Sequence, residues 1–373
     1  MKRIEQVFFA LVRAGLWEQD VWLKDNCEVA FSDVLRLSEE QSVVGLVTAG
    51  MEHVRDIKVS QDVLLQFIGE SLQIEEQNKS MNDFLNSIMN KMRKEAGVYA
   101  LLVKGQGIAQ CYERPLWRAC GDIDLLLSKD NYDKAKLFLI PLASSTEEES
   151  IKSRHLGMTI DNWIVELHGT LHSGCLNKID KVIDEVQHDL FYEGNVRSWL
   201  NNGIQIFLPA PDNDVFLIFA HIIKHFFRGG IGLRQICDWC RLLWTYREAL
   251  NVPLLKDRIY AARIMTEWNT FASLAVDYLG MKKEAIPLYS SKKKWKTKAR
   301  KVVEYIIKDG NFGHNRDLSF YSKDPFILRK LKALRLRTYE FVRLFVLFPI
   351  DSLIVWNQTL KVGILSVLKG ETK

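Results

Sequence analysis

Asp122 and Asp124 are separated by one residue at the start of an apolar run, Gly121-Asp-Ile-Asp-Leu-Leu-Leu127. In a strand, alternate side chains share a face, so both carboxylates point one way while Ile123 and Leu125 turn inward. Carboxylates held that close repel unless a cation lies between them. The pair reads as half of a divalent-metal site, with a turn or a solvated strand cap as the plain alternative. Trp163-Ile-Val-Glu-Leu-His168 repeats the pattern, because Glu166 and His168 share a face. If the two strands are neighbours, Glu166 joins the pair. Three carboxylates around one or two Mg2+ or Mn2+ ions suit in-line phosphoryl or nucleotidyl transfer, and one of them can take the proton of an attacking hydroxyl.

Gly105 and Gly107 follow an apolar run and open a helix, where bare N–H groups favour a phosphate. Lys104 and Arg118 can add positive charge there. The alternatives are a strand-end lysine reaching solvent, and an Arg118 ion pair with Asp122 or Glu113. His168 can orient Glu166, bind metal or touch substrate, or it can serve as a hydrogen-bonded structural residue; His172 reads the same way with less support. His221 and His225 stand one turn apart and Cys237-Asp-Trp-Cys240 follows, which resembles two pairs of zinc ligands. Both pairs fall in apolar helical patterns, however, so packing is the expectation. Lys224, His225 and Arg228 are then expected to line a cleft from the helical side, with Arg234 and Asp238 shaping its pocket.

The elements around these residues follow from periodicity. Residues 1–97 read as helical, with Ser60 as an N-cap and Gly97 stopping a long helix that carries Met81, Leu85, Ile88 and Met92. Strands are expected over 98–103, 122–127, 154–160 and 162–168, the last two joined by a tight turn at Asp161-Asn162. A helix is expected over 130–142, capped near Asp130 or Asn131. Together these describe a small mixed sheet with helices on one face. From Pro209 onward the helical period returns. The expectation is an α+β protein, mostly helical, with a helical region at 1–97, an α/β core at 98–210 and a helical region at 211–373.

The chain has 373 residues, 47% hydrophobic and 26% charged, which is the balance of an ordinary soluble globular protein. Its net charge of +5 permits an anionic ligand without demanding nucleic acid. Six scattered cysteines and the absence of a signal-peptide pattern point to free thiols and a cytoplasmic location, and no run has the length of a membrane span. Lys292–Lys301 reads as a solvated helix start, or as a surface for nucleic acid or anionic lipid, and the basic and apolar stretch 327–356 keeps the membrane-surface option open.

The succession Lys-Gly, helix, Tyr, Arg, Gly-Asp-Ile-Asp-Leu-Leu and later Val-Glu-Leu-His resembles the uncharacterised nucleotidyltransferase family of the DNA-polymerase-β-like superfamily. The resemblance is best over about 101–172 and extends weakly to 219–225 and 233–238. It implies that Asp122 and Asp124 are the metal pair, that Glu166 is the third carboxylate, and that the Gly105 turn cradles a triphosphate. The expected activity moves an NMP group from an NTP, ATP among the candidates, to a hydroxyl-type acceptor: a small molecule, a protein or an RNA. One feature departs from the superfamily pattern. Its phosphate turn is commonly Gly-Gly or Gly-Ser, whereas here Gly105 is followed by Gln106 and Gly107. A catalytically inactive nucleotide- or partner-binding protein and an RNA/DNA-processing transferase are the alternatives.

Overall fold

The computed structural model describes residues 2–23, 30–57, 59–316 and 325–368. Among them, helices predominate around one mixed seven-stranded sheet, so the chain is α+β and mostly helical. The strands are β1 (Leu101–Val103), β2 (Asp122–Leu126), β3 (Ser145–Thr146), β4 (His155–Ile160), β5 (Trp163–His168), β6 (Val196–Asn201) and β7 (Ile204–Pro209), in the spatial order β3-β4-β5-β2-β1-β7-β6. β2 runs parallel to β5 and antiparallel to β1, and β1 runs parallel to β7.

Asp161 and Asn162 join β4 to β5 with φ of +48° and +72°, the left-handed pair that a two-residue hairpin turn requires. The hairpin β6–β7 is a second case. Its turn is Asn202-Gly203, also at positive φ, and it adds two strands to the sheet that the periodicity reading had not found. β7 pairs with β1, which places β1 in the interior of the sheet.

Helices cover both sheet faces, not the single face expected. One face carries Leu102, Ile123, Leu125, Val165 and Leu167, and packs on α4 (Gln61–Ala96) and α6 (Lys129–Leu139). α4 had been assigned to the N-terminal helical region. Its Met81, Leu85, Ile88 and Met92 form a stripe at helical spacing, and that stripe buries against the sheet. Ser60 and Gly97 bound it as expected, Gly97 at φ +61° with its N–H on Met92 O. α6 begins one residue before Asp130, with Ser128 as its N-cap.

The other face carries Leu101, Val103 and Leu126 and joins a larger apolar cluster. That cluster unites α1 (Arg3–Trp17), α2 (Phe31–Glu40) and α3 (Val44–Glu52) with α7 (Asn177–Tyr192), α8 (Pro211–Arg228), α9 (Leu233–Tyr246), α10 (Val252–Ala261), α11 (Met265–Leu279) and α12 (Lys293–Asp309). A short helix, α5 (Gly105–Ala109), follows β1. The basic run enters α12, whose Ala299, Val302 and Ile306 are buried. The last described elements form a helical hairpin, α13 (Phe326–Leu347) and α14 (Pro349–Leu368), which leaves many apolar side chains exposed. No described helix is long and apolar enough to cross a membrane. Cys111, Cys120, Cys175, Cys237 and Cys240 are free and buried, and Cys27 lies outside the described residues.

Candidate active site

The register of β2 against β5 sets Asp124 directly beside Glu166, with Asp122 two residues earlier on the same face. β1 pairs Val103 with Asp124, so the chain leaves the sheet at Lys104 next to the carboxylates. Strand alternation would send the Lys104 side chain to the opposite face, with Leu102. Its backbone instead adopts φ +61°, ψ −150°. That region is nearly restricted to glycine and costs a residue with a side chain about 1–3 kcal/mol. The consequence is that Lys104 Nζ reaches back and donates to Asp124 Oδ1 at 2.7 Å. Gly105 follows at φ +45°, where an added Cβ would come within 3.2 Å of Cys120 Sγ.

Two histidines complete the cluster. His168 Nε2 donates to the same Asp124 Oδ1 at 2.7 Å and lies 3.4 Å from Glu166 Oε2. His155 stands opposite His168 in the β4–β5 hairpin and donates from Nε2 to Glu166 Oε2 at 3.2 Å. Potential ligand atoms of His155, Glu166 and His168 all lie within 4.8 Å of one another. Burial works against ionising Asp124, but the Lys104 charge and the His168 hydrogen bond outweigh it and hold the carboxyl below its usual range. Hydrogen bonds from His155 and then His168 hold Glu166 far below its own. Asp122 is the exception. Its side chain accepts no hydrogen bond among the described residues, and burial, then repulsion by Asp124, pushes its carboxyl up.

α8 and α9 form the facing wall of a cavity of about 390 Å³, into which Lys104, Gly105, the three carboxylates and His168 all open. α8 contributes His221, Lys224 and His225; α9 contributes Arg234 and Asp238. Burial, then the charges of Lys224 and Lys104, pushes the His225 imidazole down to about 3, so it is neutral. Burial likewise holds His221 well below its ordinary value. Lys224 makes no ion pair among the described residues, and burial, then Lys104, lowers its ammonium. Arg234 donates to Ala119 O, its Nε has no partner, and it pairs with no carboxylate among the described residues.

The remaining residues singled out from the sequence divide by position. Arg118 lines the cavity, yet its fork is bidentate on Asp238, at 2.9 and 2.7 Å, and not on Asp122 or Glu113. Glu113 pairs with Arg241 instead. Tyr112 Oη also donates to Asp238, so this buried pair ties the loop before β2 to α9. Gly107 lies away from the cavity, where an added Cβ would meet Leu208 of β7 at 2.6 Å. Gln106 also faces away, donating to Asn78 of α4 at 2.6 Å. His172 borders the cavity and is held by Asp184 at 2.6 Å. Arg228 lies in an adjoining groove. His221 and His225 do not meet Cys237 and Cys240 in a metal-binding group among the described residues, and both cysteines are buried in the core of α9. His155 was the functional candidate the sequence reading missed. The turn at Asp161-Asn162 contained the signal, since pairing Ile160 with Trp163 sets His155 opposite His168.

No curated protein and no solved structure matches the chain at a significant level. A family model does, over residues 28–280, more than half the chain, and it spans every strand and both helices that wall the cavity. By that match the chain belongs to the uncharacterised nucleotidyltransferase family.

Proposed function

We propose that the cleft binds a nucleoside triphosphate with Mg2+ or Mn2+ and transfers its NMP group to a hydroxyl-type acceptor. The observation that carries this reading is Asp122. It is a largely buried carboxylate with no hydrogen-bond donor among the described residues, set beside Asp124 and Glu166 and faced by Lys104, Lys224 and Arg234. A buried, repelled carboxylate of this kind costs stability unless a cation binds it, and an oxygen-rich set with two neighbouring imidazoles fits a divalent ion.

Asp122, Asp124 and Glu166 would hold the ion, which when bound neutralises phosphate oxygens and makes a contacting hydroxyl more acidic. Lys104 donates to Asp124 and would move its ammonium onto the triphosphate, beside the Gly105 turn. Arg234 is the guanidinium with free donors for phosphate. Arg118 holds the loop that positions Asp122 through its pair with Asp238. As the acceptor oxygen bonds to the α-phosphorus, the bond to the bridging oxygen breaks and pyrophosphate leaves. The hydroxyl proton passes to a carboxylate. Asp122 suits that step better than Glu166, whose lone pairs already receive His155 and His168.

Calorimetry with Mn2+ and a non-hydrolysable NTP tests this. Metal-dependent binding in the native chain, lost in Asp122→Asn/Asp124→Asn, is the expected result. Heat unchanged by the double substitution would remove the reading's basis. A second reading, a catalytically inactive nucleotide-binding protein, is favoured by Lys104 occupying the place of a cation on Asp124. Pyrophosphate release with any acceptor excludes it.

A further inference from the structure

A second cavity, of about 1110 Å³, opens between the core and the α13–α14 hairpin. It meets the catalytic cleft at Ser153, His172 and Lys224, which line both. The hairpin supplies an apolar wall of Leu344, Val355 and Trp356, the indole stacked on Phe341 at 5.1 Å. The rim is cationic. Lys152, Lys181, Lys224 and Lys361 line it and make no hydrogen bond or ion pair among the described residues. Its three carboxylates are already engaged: Asp180 accepts from Ser173 and Gly174, Asp184 from His172, and Glu340 from Arg337. With Arg228 and Arg337 the lining carries six cationic side chains against these three carboxylates, so an entering molecule meets net positive charge beside an apolar wall. Such a lining repels a cationic acceptor and gives an uncharged sugar nothing for the lysines.

We propose that this groove is the acceptor site and that the acceptor is an anionic amphiphile. Its phosphate or carboxylate lies on the lysines, its apolar part lies along Leu344, Val355 and Trp356, and its hydroxyl reaches the cleft at Lys224. This assignment rests on the nucleotidyl-transfer reading. In the transfer the hydroxyl oxygen bonds to the α-phosphorus, pyrophosphate departs with the bridging oxygen, and the hydroxyl proton passes to a cleft carboxylate. The hairpin's outer face exposes Leu331, Val342, Phe345 and Ile350, so the amphiphile can arrive as a monomer or from a lipid surface.

The test reads Trp356 emission, isolated by subtracting the Trp356→Phe variant, on the full chain. Dodecyl phosphate below its micelle concentration is expected to give a saturable change, with dodecyl maltoside and inorganic phosphate much weaker. Lys181→Glu/Lys361→Glu, at two exposed positions, should weaken dodecyl phosphate about tenfold, the scale of two reversed and screened charges, and leave Mn2+–NTP heats unchanged. An equal response to the maltoside removes the anion from the proposal, and an equal response to inorganic phosphate removes the apolar part; either overturns it. A response to phosphatidic acid vesicles with none to monomeric dodecyl phosphate moves the contact to the outer face and also overturns it. If Mn2+–NTP binds and no amphiphile does, only the acceptor class falls. If dodecyl phosphate binds and Mn2+–NTP does not, the nucleotidyl reading falls and takes the acceptor role with it.

Discussion

Substitutions at Lys104 separate a charge from a backbone strain. Lys104→Met removes the ammonium and keeps the left-handed backbone, whereas Lys104→Gly removes both. The Asp124 carboxylate is 3% exposed and would be left with His168 alone. Breaking a buried ion pair costs about 3–5 kcal/mol, so Lys104→Met should lose that much in metal-free buffer. Glycine regains the strain, and Lys104→Gly should be more stable than Lys104→Met by about 1–3 kcal/mol. Metal narrows the stability gap to the native chain. In the native protein Mn2+ must displace an ammonium 2.7 Å from Asp124; in either variant that position is open. Mn2+ affinity should rise by about tenfold or more, one step of 1.4 kcal/mol at the least. Saturation to a hundred times the dissociation constant should then restore about 2.7 kcal/mol. Nucleotide affinity should fall in the same variants, because the ammonium proposed to meet the triphosphate is gone. Urea melts in EDTA and in Mn2+, with an EPR titration of free Mn2+, measure every quantity. Equal Mn2+ affinity in the native chain and Lys104→Met, or a glycine variant no more stable than the methionine one, would refute the reasoning.

Four further outcomes follow from the same geometry. Asp122 has a raised carboxyl, so its ionisation costs stability. That cost appears as pH rises from the ordinary value of 3.8 through the folded value, and Asp122→Asn should stabilise the chain at pH 7 by about 0.5–2 kcal/mol in thermal melts while abolishing Mn2+ binding. The imidazoles of His155 and His168 favour a transition ion, so Mn2+ should bind about tenfold or more tightly than Mg2+, and His155→Gln should narrow the gap in calorimetry. Arg118→Met should cost about 3–5 kcal/mol in urea melts by stranding Asp238, and Arg118→Met/Asp238→Leu should recover part of it. Titrating Mn2+ into the complex with a non-hydrolysable NTP should show two ions per nucleotide; a single ion would contradict the charge balance of the cleft.

The carboxylates were legible in the sequence because strand alternation is rigid. One spacing rule puts Asp122, Asp124, Glu166 and His168 on one face, and one turn fixes a register that brings in His155 as well. The hairpin β6–β7 was equally legible through Asn202-Gly203 and the alternation of Ile204, Ile206 and Leu208 that follows it. Lys104 was not legible. Alternation sends it to the wrong face, and only a backbone conformation unfavourable for lysine brings it to Asp124. Arg118 was misread for a different reason. Its partner Asp238 lies 120 residues away, on a helix whose position depends on the tertiary packing of α8 and α9. The part of the α4 contact that mattered was hidden similarly, since a stripe at helical spacing does not say which surface it covers.

The charges of the cleft bear on how many ions a nucleotide must bring. Asp214 and Asp238 are neutralised by Arg197 and Arg118, and His221 and His225 are held neutral by burial and neighbouring cations. Leaving aside the imidazoles of His155, His168 and His172, what remains is Asp122, Asp124 and Glu166 against Lys104, Lys224 and Arg234, three charges of each sign in one cavity. A triphosphate adds roughly four negative charges. One divalent ion would leave about two of them uncompensated in an enclosed space, which is costly, whereas two ions close the balance and match a clamp on the attacking and leaving oxygens. Asp124 would hold metal fully only once Lys104 has left its Oδ1. In the proposed complex the triphosphate would supply the place for that ammonium to go. In the proposed mechanism nucleotide entry draws Lys104 off Asp124 and so strengthens metal binding, and the native chain should therefore bind Mn2+ more weakly without the nucleotide than with it.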